Sequence, residues 1–260
     1  MRAFRFYLTL YRTAVLSRAE YRADFFVGVL TAVLMQLAAL SFYWVVFSRT
    51  TTLGGWPAHA VLLLFALTAM SLSLSELLFN GIWQLPYYIV GGEFDRMLIY
   101  PVRSLVFILL SRPELHSIGN FVSGAAIAAF SFHLAPPPDV TYALLPVWVL
   151  CGSLVYTAML VLLGGLSFSI VGPFVNHYFL AFQLLNASRY PAHIYPRWFR
   201  GLLLFVFPVA VPIFLPARFV LGETGWLAAV GLPVAAAVAS VLVAVWFWER
   251  AVTRYQSTGS

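Results

Sequence analysis

The residues that most often carry chemistry are few in this chain and lie far apart. Five histidines are present, without an HExxH motif or any other spacing typical of metal ligands: His59, His116, His133, His177 and His193. The single cysteine, Cys151, lies inside an apolar run and excludes both an intrachain disulfide and a cysteine-cluster metal site. Acidic residues are almost absent from the apolar segments, so no Ser/His/Asp hydrolase is predicted. We expect no catalytic, cofactor-binding or metal-binding residues in this chain.

All fifteen basic residues are arginine, and the chain contains no lysine. A nucleotide-binding P-loop, GxxxxGK[ST], needs a lysine to reach the β- and γ-phosphates. Schiff-base and pyridoxal phosphate chemistry need a lysine amine as well. If the protein uses ATP, another subunit must therefore bind it.

Among the nine acidic residues, Glu76 stands out because it lies well inside a long apolar segment. Carboxylates within a bilayer are costly and are often functional. Because Glu76 lies about one turn from the end of its segment, it could reach water or pair with Arg96 or Arg103. We regard it as a candidate for gating or for an ion pair.

A polar segment at residues 81–116 contains the most informative motif, GGEFDRMLIYPVR, which begins at Gly91. The glycine pair favours a turn, the acids after it suit a helix N-terminus, and Pro101 ends the helix. Phe94, Met97 and Leu98 are predicted to share one face of this helix. A short amphipathic helix of this kind suits a groove on a partner protein, with Phe94 as its anchor; an ordinary solvated loop is the alternative. The candidate contact residues are Gly92, Glu93, Phe94, Asp95, Arg96, Met97, Leu98 and Pro101.

The composition indicates a membrane protein. Of 260 residues, 62% are hydrophobic and 9% are charged, whereas soluble domains carry about 25% charged residues. The net charge of +6 comes from arginines scattered between apolar segments, which act as topology signals and headgroup contacts rather than as a nucleic-acid surface. We expect one transmembrane domain over residues 1–260, in contact with lipid and not with nucleic acid.

The fold class predicted from hydropathy is an all-α polytopic membrane protein with six transmembrane helices. One further apolar segment, Gly201 to Leu221, is interrupted at Pro208, Pro212 and Pro216 and is predicted to be a re-entrant helical hairpin before the last span. It belongs to an extracytoplasmic and re-entrant region at 189–225. The spans are predicted at 25–47, 58–80, 117–135, twice within 140–188, and 226–248.

Arginine placement predicts the orientation. Six spans put ten arginines on one side and five on the other, so both termini and the 81–116 loop are expected in the cytoplasm. Residues 1–23 are predicted to form an interfacial amphipathic helix and not a signal peptide. Its polar arc contains Arg2, Arg5, Thr9, Arg12 and Thr13, and its apolar arc contains Phe4, Tyr7, Leu8, Tyr11 and Val15.

The run GGEFDRMLIYPVR resembles the I-x-x-G-x-L-D-x-x-L-x-x-P pattern that follows the second span of type-2 ABC exporter permeases. Three further segments agree: 20–24 before the first span, Gly55-Trp56 before the second, and 190–196. The chain is most similar to a bacterial branch in which two permeases are encoded beside one ATPase. Phe94 stands where the family more often has leucine.

This resemblance implies six helices per subunit, a pair of permeases (a heterodimer is favoured) and separate ATPase subunits docked on the cytoplasmic loops. ATP and Mg²⁺ would be bound by the partner ATPase, and the complex would lie in the bacterial cytoplasmic (inner) membrane. An ATP-independent transporter or a membrane scaffold protein is the alternative. A secondary transporter would usually need an inverted repeat and ion-coupling acids at the midplane, and the sequence contains neither.

Overall fold

The computed structural model describes residues 2–20, 22–168 and 175–255. Twelve α-helices lie in this part of the chain, in the order α1 Arg2–Ala19, α2 Arg22–Arg49, α3 Ala58–Phe79, α4 Leu85–Val90, α5 Glu93–Ile99, α6 Ser104–Ser111, α7 Ser117–Leu134, α8 Val140–Gly165, α9 Val175–Ala187, α10 Arg197–Gly201, α11 Val211–Val220 and α12 Trp226–Thr253. The described part of the chain also contains a two-stranded antiparallel hairpin, formed by β1 Thr52–Leu53 and β2 Trp56–Pro57.

Five helices in the described residues are long and apolar enough to cross a membrane, namely α2, α3 with its short extension to Val90, α7, α8 and α12. The number rises to six if α10 and α11 count as one bent span. At 1.5 Å per residue, the 18 residues of α7 reach about 27 Å, close to the thickness of a bilayer's hydrocarbon core. The predicted fold class, an all-α polytopic membrane protein, is confirmed.

Helix α3 forms the centre of the bundle and packs against α7, α8 and α11. Its residues are apolar on all sides, and every residue from Ala60 to Ser73 is buried. A helix without a polar face belongs inside a protein or a membrane. In contrast, α2 is mostly exposed, and its large apolar side chains, such as Phe26 and Met35, face outward where lipid would cover them.

Small residues allow the central helices to approach closely. A Cβ atom added at Gly152 of α8 would lie 2.2 Å from Ser71 Oγ of α3, and one at Gly124 of α7 would lie 2.8 Å from the side chain of Met70. Ser75 Oγ and Thr157 Oγ1 are hydrogen-bonded at 2.7 Å between α3 and α8. Close backbone approach and hydroxyl contacts are typical of helix packing in membranes.

The bundle has two chemically different ends. One end, which we call the arginine-rich end, contains α1, α4 to α6 and the C-terminus of α12. The other, the hairpin end, contains β1 and β2 and residues 188–198. Gly54 and Gly55 join the two strands with φ of +57° and +82°, a turn that side chains rarely allow and that matches the twist of a two-residue hairpin.

Two spans were predicted within Val140–Ser188, and α8 accounts for the first of them. The second contains residues 169–174, which lie outside the described residues, and ends in α9. Phe168 packs on Trp248 at 5.3 Å near the arginine-rich end, whereas Tyr190 stacks on Tyr43 at 5.9 Å near the hairpin end. The chain therefore passes from one end of the bundle to the other between Phe168 and Tyr190.

The proline-rich segment is bent where the sequence predicted a break. The helical stretch Arg197–Val206 and helix α11 meet at an angle of 103°, with Pro208 between them. Phe205 and Pro208 lie beside Val155 of α8, well below the hairpin end, while Phe214 of α11 returns to stack on Trp56 at 5.1 Å. The segment as a whole therefore begins and ends near the hairpin end and turns within the bundle, which is the path of a re-entrant helical hairpin.

Pro212 and Pro216 fit this path. Pro212 lies in the first turn of α11, where its missing N–H leaves no hydrogen bond unmade, and Pro216 lies inside the same helix. The break itself falls at Phe207–Ala210, where the backbone leaves the helical conformation. Because proline removes a donor and clashes with the preceding turn, a straight span is disfavoured here.

Candidate functional site

The loop at the arginine-rich end folds as the turn and helix that its sequence predicts. Gly92 has φ of +69°, a left-handed conformation that favours glycine, and it connects α4 to α5. Glu93 and Asp95 lie in the first turn of α5, where their charge suits the helix dipole. Tyr100 is extended at the C-terminus of α5, as expected for a residue that precedes Pro101.

Phe94 faces the interior of the bundle. It is 0% exposed, and its ring lies 5.0 Å from Phe168, 5.0 Å from Tyr255 and 6.3 Å from Trp248. Met97 is buried beside it. The expectation that Phe94 anchors a partner is wrong for this conformation, because a side chain already enclosed by three aromatic rings cannot enter a groove on another protein. It attaches α5 to the ends of α8 and α12 instead.

The outer face of the loop has a different set of residues. Glu93, Arg96 and Ile99 follow one another at three-residue spacing along α5, so they form a stripe on one side of the helix. Ile99 is 83% exposed. Tyr87 and Val90 form a second exposed stripe on α4, which packs against α5. We call these five residues the outer surface of the loop; its mixture of apolar and charged groups is typical of reversible protein interfaces.

The sequence predicted that Leu98 shares a face with Phe94 and Met97, and this prediction is wrong. It is exposed, whereas the other two are buried. Asp95 is partly buried and Arg96 is exposed. Of the eight candidate contact residues, the structure thus directs Phe94 and Met97 inward and Glu93, Arg96 and Leu98 outward. Asp95 lies between the two faces, and Gly92 and Pro101 delimit the helix.

Helix α1 lies across the same end and is fastened to it by tyrosines. The hydroxyl of Tyr7 accepts a hydrogen bond of 2.9 Å from the backbone N–H of Arg103, and that of Tyr11 donates one of 3.0 Å to the carbonyl of Leu77. Burial raises the pKa of Tyr11. The rings of Phe6 and Phe107 stack at 6.2 Å. The apolar arc of α1 therefore packs on the protein through Tyr7 and Tyr11.

The outward face of α1 agrees with the predicted polar arc. Arg5, Thr9, Arg12 and Thr13 are exposed, and so is Leu8, which the sequence had assigned to the apolar arc. The side chains of Arg2 and Phe4 lie outside the part of the structure that is described. The helix is thus a surface element that covers the arginine-rich end.

Glu76 does not pair with the arginines that the sequence suggested. Its carboxylate accepts a hydrogen bond of 2.7 Å from Ser117 Oγ at the start of α7. A second carboxylate, Glu114, accepts the arginine contact instead, from Arg18 Nη1 at 3.3 Å, and also lies 3.0 Å from His116 Nδ1. The prediction of an ion pair with Arg96 or Arg103 is therefore wrong, because Arg96 projects from α5 and Arg103 contacts α1.

Sequence reasoning missed Glu114 and the aromatic residues around Phe94. Glu114 connects α1 to the start of α7 and also receives a hydrogen bond of 3.4 Å from Asn80 Nδ2. Trp248 Nε1 donates to Ser104 Oγ at 3.3 Å, which connects α12 to α6. An acid three residues before the start of α7 was a local signal for the first contact, but nothing local to α5 indicates its distant aromatic partners.

The described residues contain no group of three or more His, Cys, Asp or Glu side chains that could hold a metal ion. This end presents exposed apolar and charged groups on a short helix whose opposite face is packed into the bundle.

The fold and this surface define a multi-pass membrane protein whose short amphipathic helix projects at one end of the bundle. A family model described as "ABC-2 family transporter protein" matches residues 33–259, and the chain belongs to that family. It is thus a membrane permease component of ABC transporters, a class that is generally non-catalytic and associates with ATPase subunits. Neither a curated protein nor a solved structure matches the chain.

Proposed function

We propose that this chain is the permease subunit of an ATP-driven exporter and that its separate ATPase docks on the outer surface of the loop. The observation that carries the proposal is the division of α5 into two faces. Its outer stripe is free of intrachain packing at Ile99, while Phe94 on the opposite side is fully buried. A helix exposed on one face and fixed on the other is suited to receive a force and pass it on.

The proposed transmission runs through Phe94. Motion of the ATPase would displace α5, and the aromatic contacts of Phe94 with Phe168 and Trp248 would carry that displacement to the ends of α8 and α12. Packed elements of this kind move as rigid bodies and change between discrete arrangements. The ends of both helices would then shift together as the path for substrate opens.

We further infer that the arginine-rich end faces the cytoplasm. The elements at this end, the loops that join them and the first residue of α2 contain ten of the fifteen arginines: Arg2, Arg5, Arg12, Arg18, Arg22, Arg96, Arg103, Arg112, Arg250 and Arg254. Loops on the cytoplasmic side of membrane proteins are enriched in arginine and lysine. Both termini are then cytoplasmic, the hairpin end is extracytoplasmic, and the loop lies where an ATPase can reach it.

The proposed assembly contains a second permease, with a heterodimer favoured by the resemblance, and ATPase subunits that bind ATP and Mg²⁺. Its location is the cytoplasmic membrane of a bacterium. The outward apolar face of α2 is the part of the described surface best suited to lipid or to the second permease, because Phe26, Leu30 and Met35 are all exposed there.

The test is a pair of charge reversals in this chain, each produced together with the ATPase that is encoded beside it. Arg96→Glu changes the outer surface of the loop, and Arg12→Glu makes the same change on the exposed face of α1 at the same end. We expect Arg96→Glu to reduce the co-purified ATPase or to uncouple ATP hydrolysis from transport in liposomes, while Arg12→Glu leaves both unchanged.

Each other result bears on a different part of the proposal. Equal loss in both variants would mean that the whole end contributes charge nonspecifically and that α5 is not the coupling element. If the wild-type chain is purified without any ATPase and transports without ATP, the protein is an ATP-independent transporter. A chain that assembles with partners but supports neither transport nor ATP hydrolysis is a membrane scaffold.

A further inference from the structure

A cavity of about 740 Å³ lies between α2, α3 and α7, on the half of the bundle nearest the hairpin end. Its walls are almost entirely apolar side chains, interrupted by Gln36, Ser41 and Ser123. A volume of this size is within the range of about 300–1,000 Å³ found for small-molecule sites.

The shape of the cavity follows from the way α2 contacts its neighbours. Near the arginine-rich end α2 is tight against the start of α7, where a Cβ atom on Gly28 would lie 2.7 Å from His116 Cβ. Near the hairpin end the ring of Tyr43 packs on Phe65 of α3 at 5.3 Å. The lining of α2 begins at Val33, beyond the first contact, and continues past Tyr43 to Phe47, so the cavity is a groove along this helix.

The groove opens sideways, in the direction of the bilayer. Four of its large apolar lining residues are themselves exposed at its edges, Leu37, Trp44, Phe130 and Leu134, and Trp44 is 79% exposed. These positions lie on helices that span the membrane, so the medium that borders them is lipid hydrocarbon. Any molecule that enters the groove must therefore be soluble in the bilayer.

Gln36 determines which polar group a ligand in the groove should carry. Its side chain lines the groove and is only 6% exposed, and its amide makes no hydrogen bond with any residue that the structure describes. An amide that faces an apolar groove without a hydrogen-bonding partner is energetically unfavourable. A plain hydrocarbon chain would leave this amide unsatisfied, whereas a molecule with a hydroxyl or carbonyl group at that depth would satisfy it.

The length of the groove determines how long the hydrocarbon part of a ligand can be. From Val33 to Phe47 the lining follows α2 for 14 residue steps, which is about 21 Å at the rise of an α-helix. Half of a bilayer's hydrocarbon core is about 15 Å thick. The groove is therefore somewhat longer than the hydrocarbon half of one leaflet, so it can hold an extended hydrocarbon chain of the leaflet at the hairpin end, with Gln36 nearer its deep end.

We propose that this groove binds an amphipathic lipid with one hydrocarbon chain that bears a hydroxyl or carbonyl group, and that Gln36 hydrogen-bonds to that group. The chain lies between α2 and α7 and enters through the opening marked by Trp44 and Phe130. That such a lipid is the transported molecule rests on the proposed function. Binding itself requires only this chain.

The experiment uses the purified permease in nanodiscs, without ATPase, and a fatty acid that carries a photoactivatable diazirine. Two matched variants control the result: Ala126→Trp fills the groove from α7, whereas Ala129→Trp places the same side chain on an exposed position of α7 outside the lining. Mass spectrometry of the labelled peptides locates the probe. Hydroxystearic acid and stearic acid are the competitors.

We expect saturable labelling of residues 33–47 and 123–134 that Ala126→Trp abolishes and Ala129→Trp preserves. Hydroxystearic acid should compete about fivefold better than stearic acid, as one hydrogen bond predicts, and Gln36→Leu should remove that difference while labelling persists. Uniform labelling of all exposed faces, unaffected by Ala126→Trp, would overturn the proposal. Equal competition by the two acids in the wild-type chain would overturn the role of Gln36.

Crosslinks from a cysteine at Ala126 to a second permease subunit would also overturn the proposal, since another protein would then occupy the groove. These outcomes are independent of the exporter assignment. Loss of lipid labelling with intact ATPase binding refutes the groove alone, and lipid labelling without any ATPase binding refutes the exporter and leaves the groove.

Discussion

Replacing Phe94 by alanine should detach α5 from the bundle. Phe94 is fully buried among Phe168, Trp248 and Tyr255, and truncation of a buried phenylalanine costs about 3–5 kcal/mol. Since 1.4 kcal/mol corresponds to a factor of ten, local opening of α5 should become at least about 100-fold more frequent. Phe94→Leu keeps most of the apolar volume and should have a much smaller effect.

Hydrogen–deuterium exchange of the amides in α5 measures this opening directly in the detergent-solubilised or nanodisc-embedded protein. Ile99→Ala is the matched control, because Ile99 belongs to the same helix and is exposed; its exchange should remain close to that of the wild-type chain. If Phe94→Ala exchanges no faster than Ile99→Ala, the aromatic contacts do not hold α5, and the proposed route from the loop to α8 and α12 fails.

Three further predictions concern topology and packing. A cysteine at Ser17 should stay unlabelled by a membrane-impermeant maleimide in intact cells; labelling there would invert the orientation. Cysteines at Arg197 and Glu223 should both be labelled from outside, and labelling of only one would mean that the bent segment crosses the membrane. Gly152→Ala should lower stability by about 1–3 kcal/mol, because its Cβ would clash 2.2 Å from Ser71 Oγ, whereas Gly231→Ala, which meets nothing within 4 Å, should be tolerated in a thermal unfolding assay.

Hydropathy and the strongest local signals were sufficient to predict five of the spans and the shape of the loop. A long run without charge has to be covered by lipid or protein, which is why α3 and α8 could be located from composition. Pro208 predicted the break because proline removes a backbone donor and disfavours a straight helix, and Gly92 predicted the turn because few other residues adopt positive φ.

The orientation of α5 could not be predicted, because its seven residues present apolar side chains on both sides. Whether Phe94 or Ile99 turns inward depends on Phe168 and Trp248, which lie more than 70 residues away in the chain. The partner of Glu76 was missed for the same reason. Ser117 reaches it only once α3 and α7 have packed together, and an arginine near in sequence is no guide to that contact.

The most direct test of the coupling surface is a crosslink from the loop to the ATPase in the assembled complex. A cysteine at Ile99, on the exposed stripe of α5, would be treated with a short bifunctional maleimide, beside a cysteine at Leu16 on the exposed side of α1. We predict that the cysteine at Ile99 crosslinks to the ATPase, that its yield changes when ATP is added, and that the cysteine at Leu16 gives no such product. A complex that hydrolyses ATP and transports but forms no crosslink from Ile99 would contradict the assignment of this loop as the coupling element.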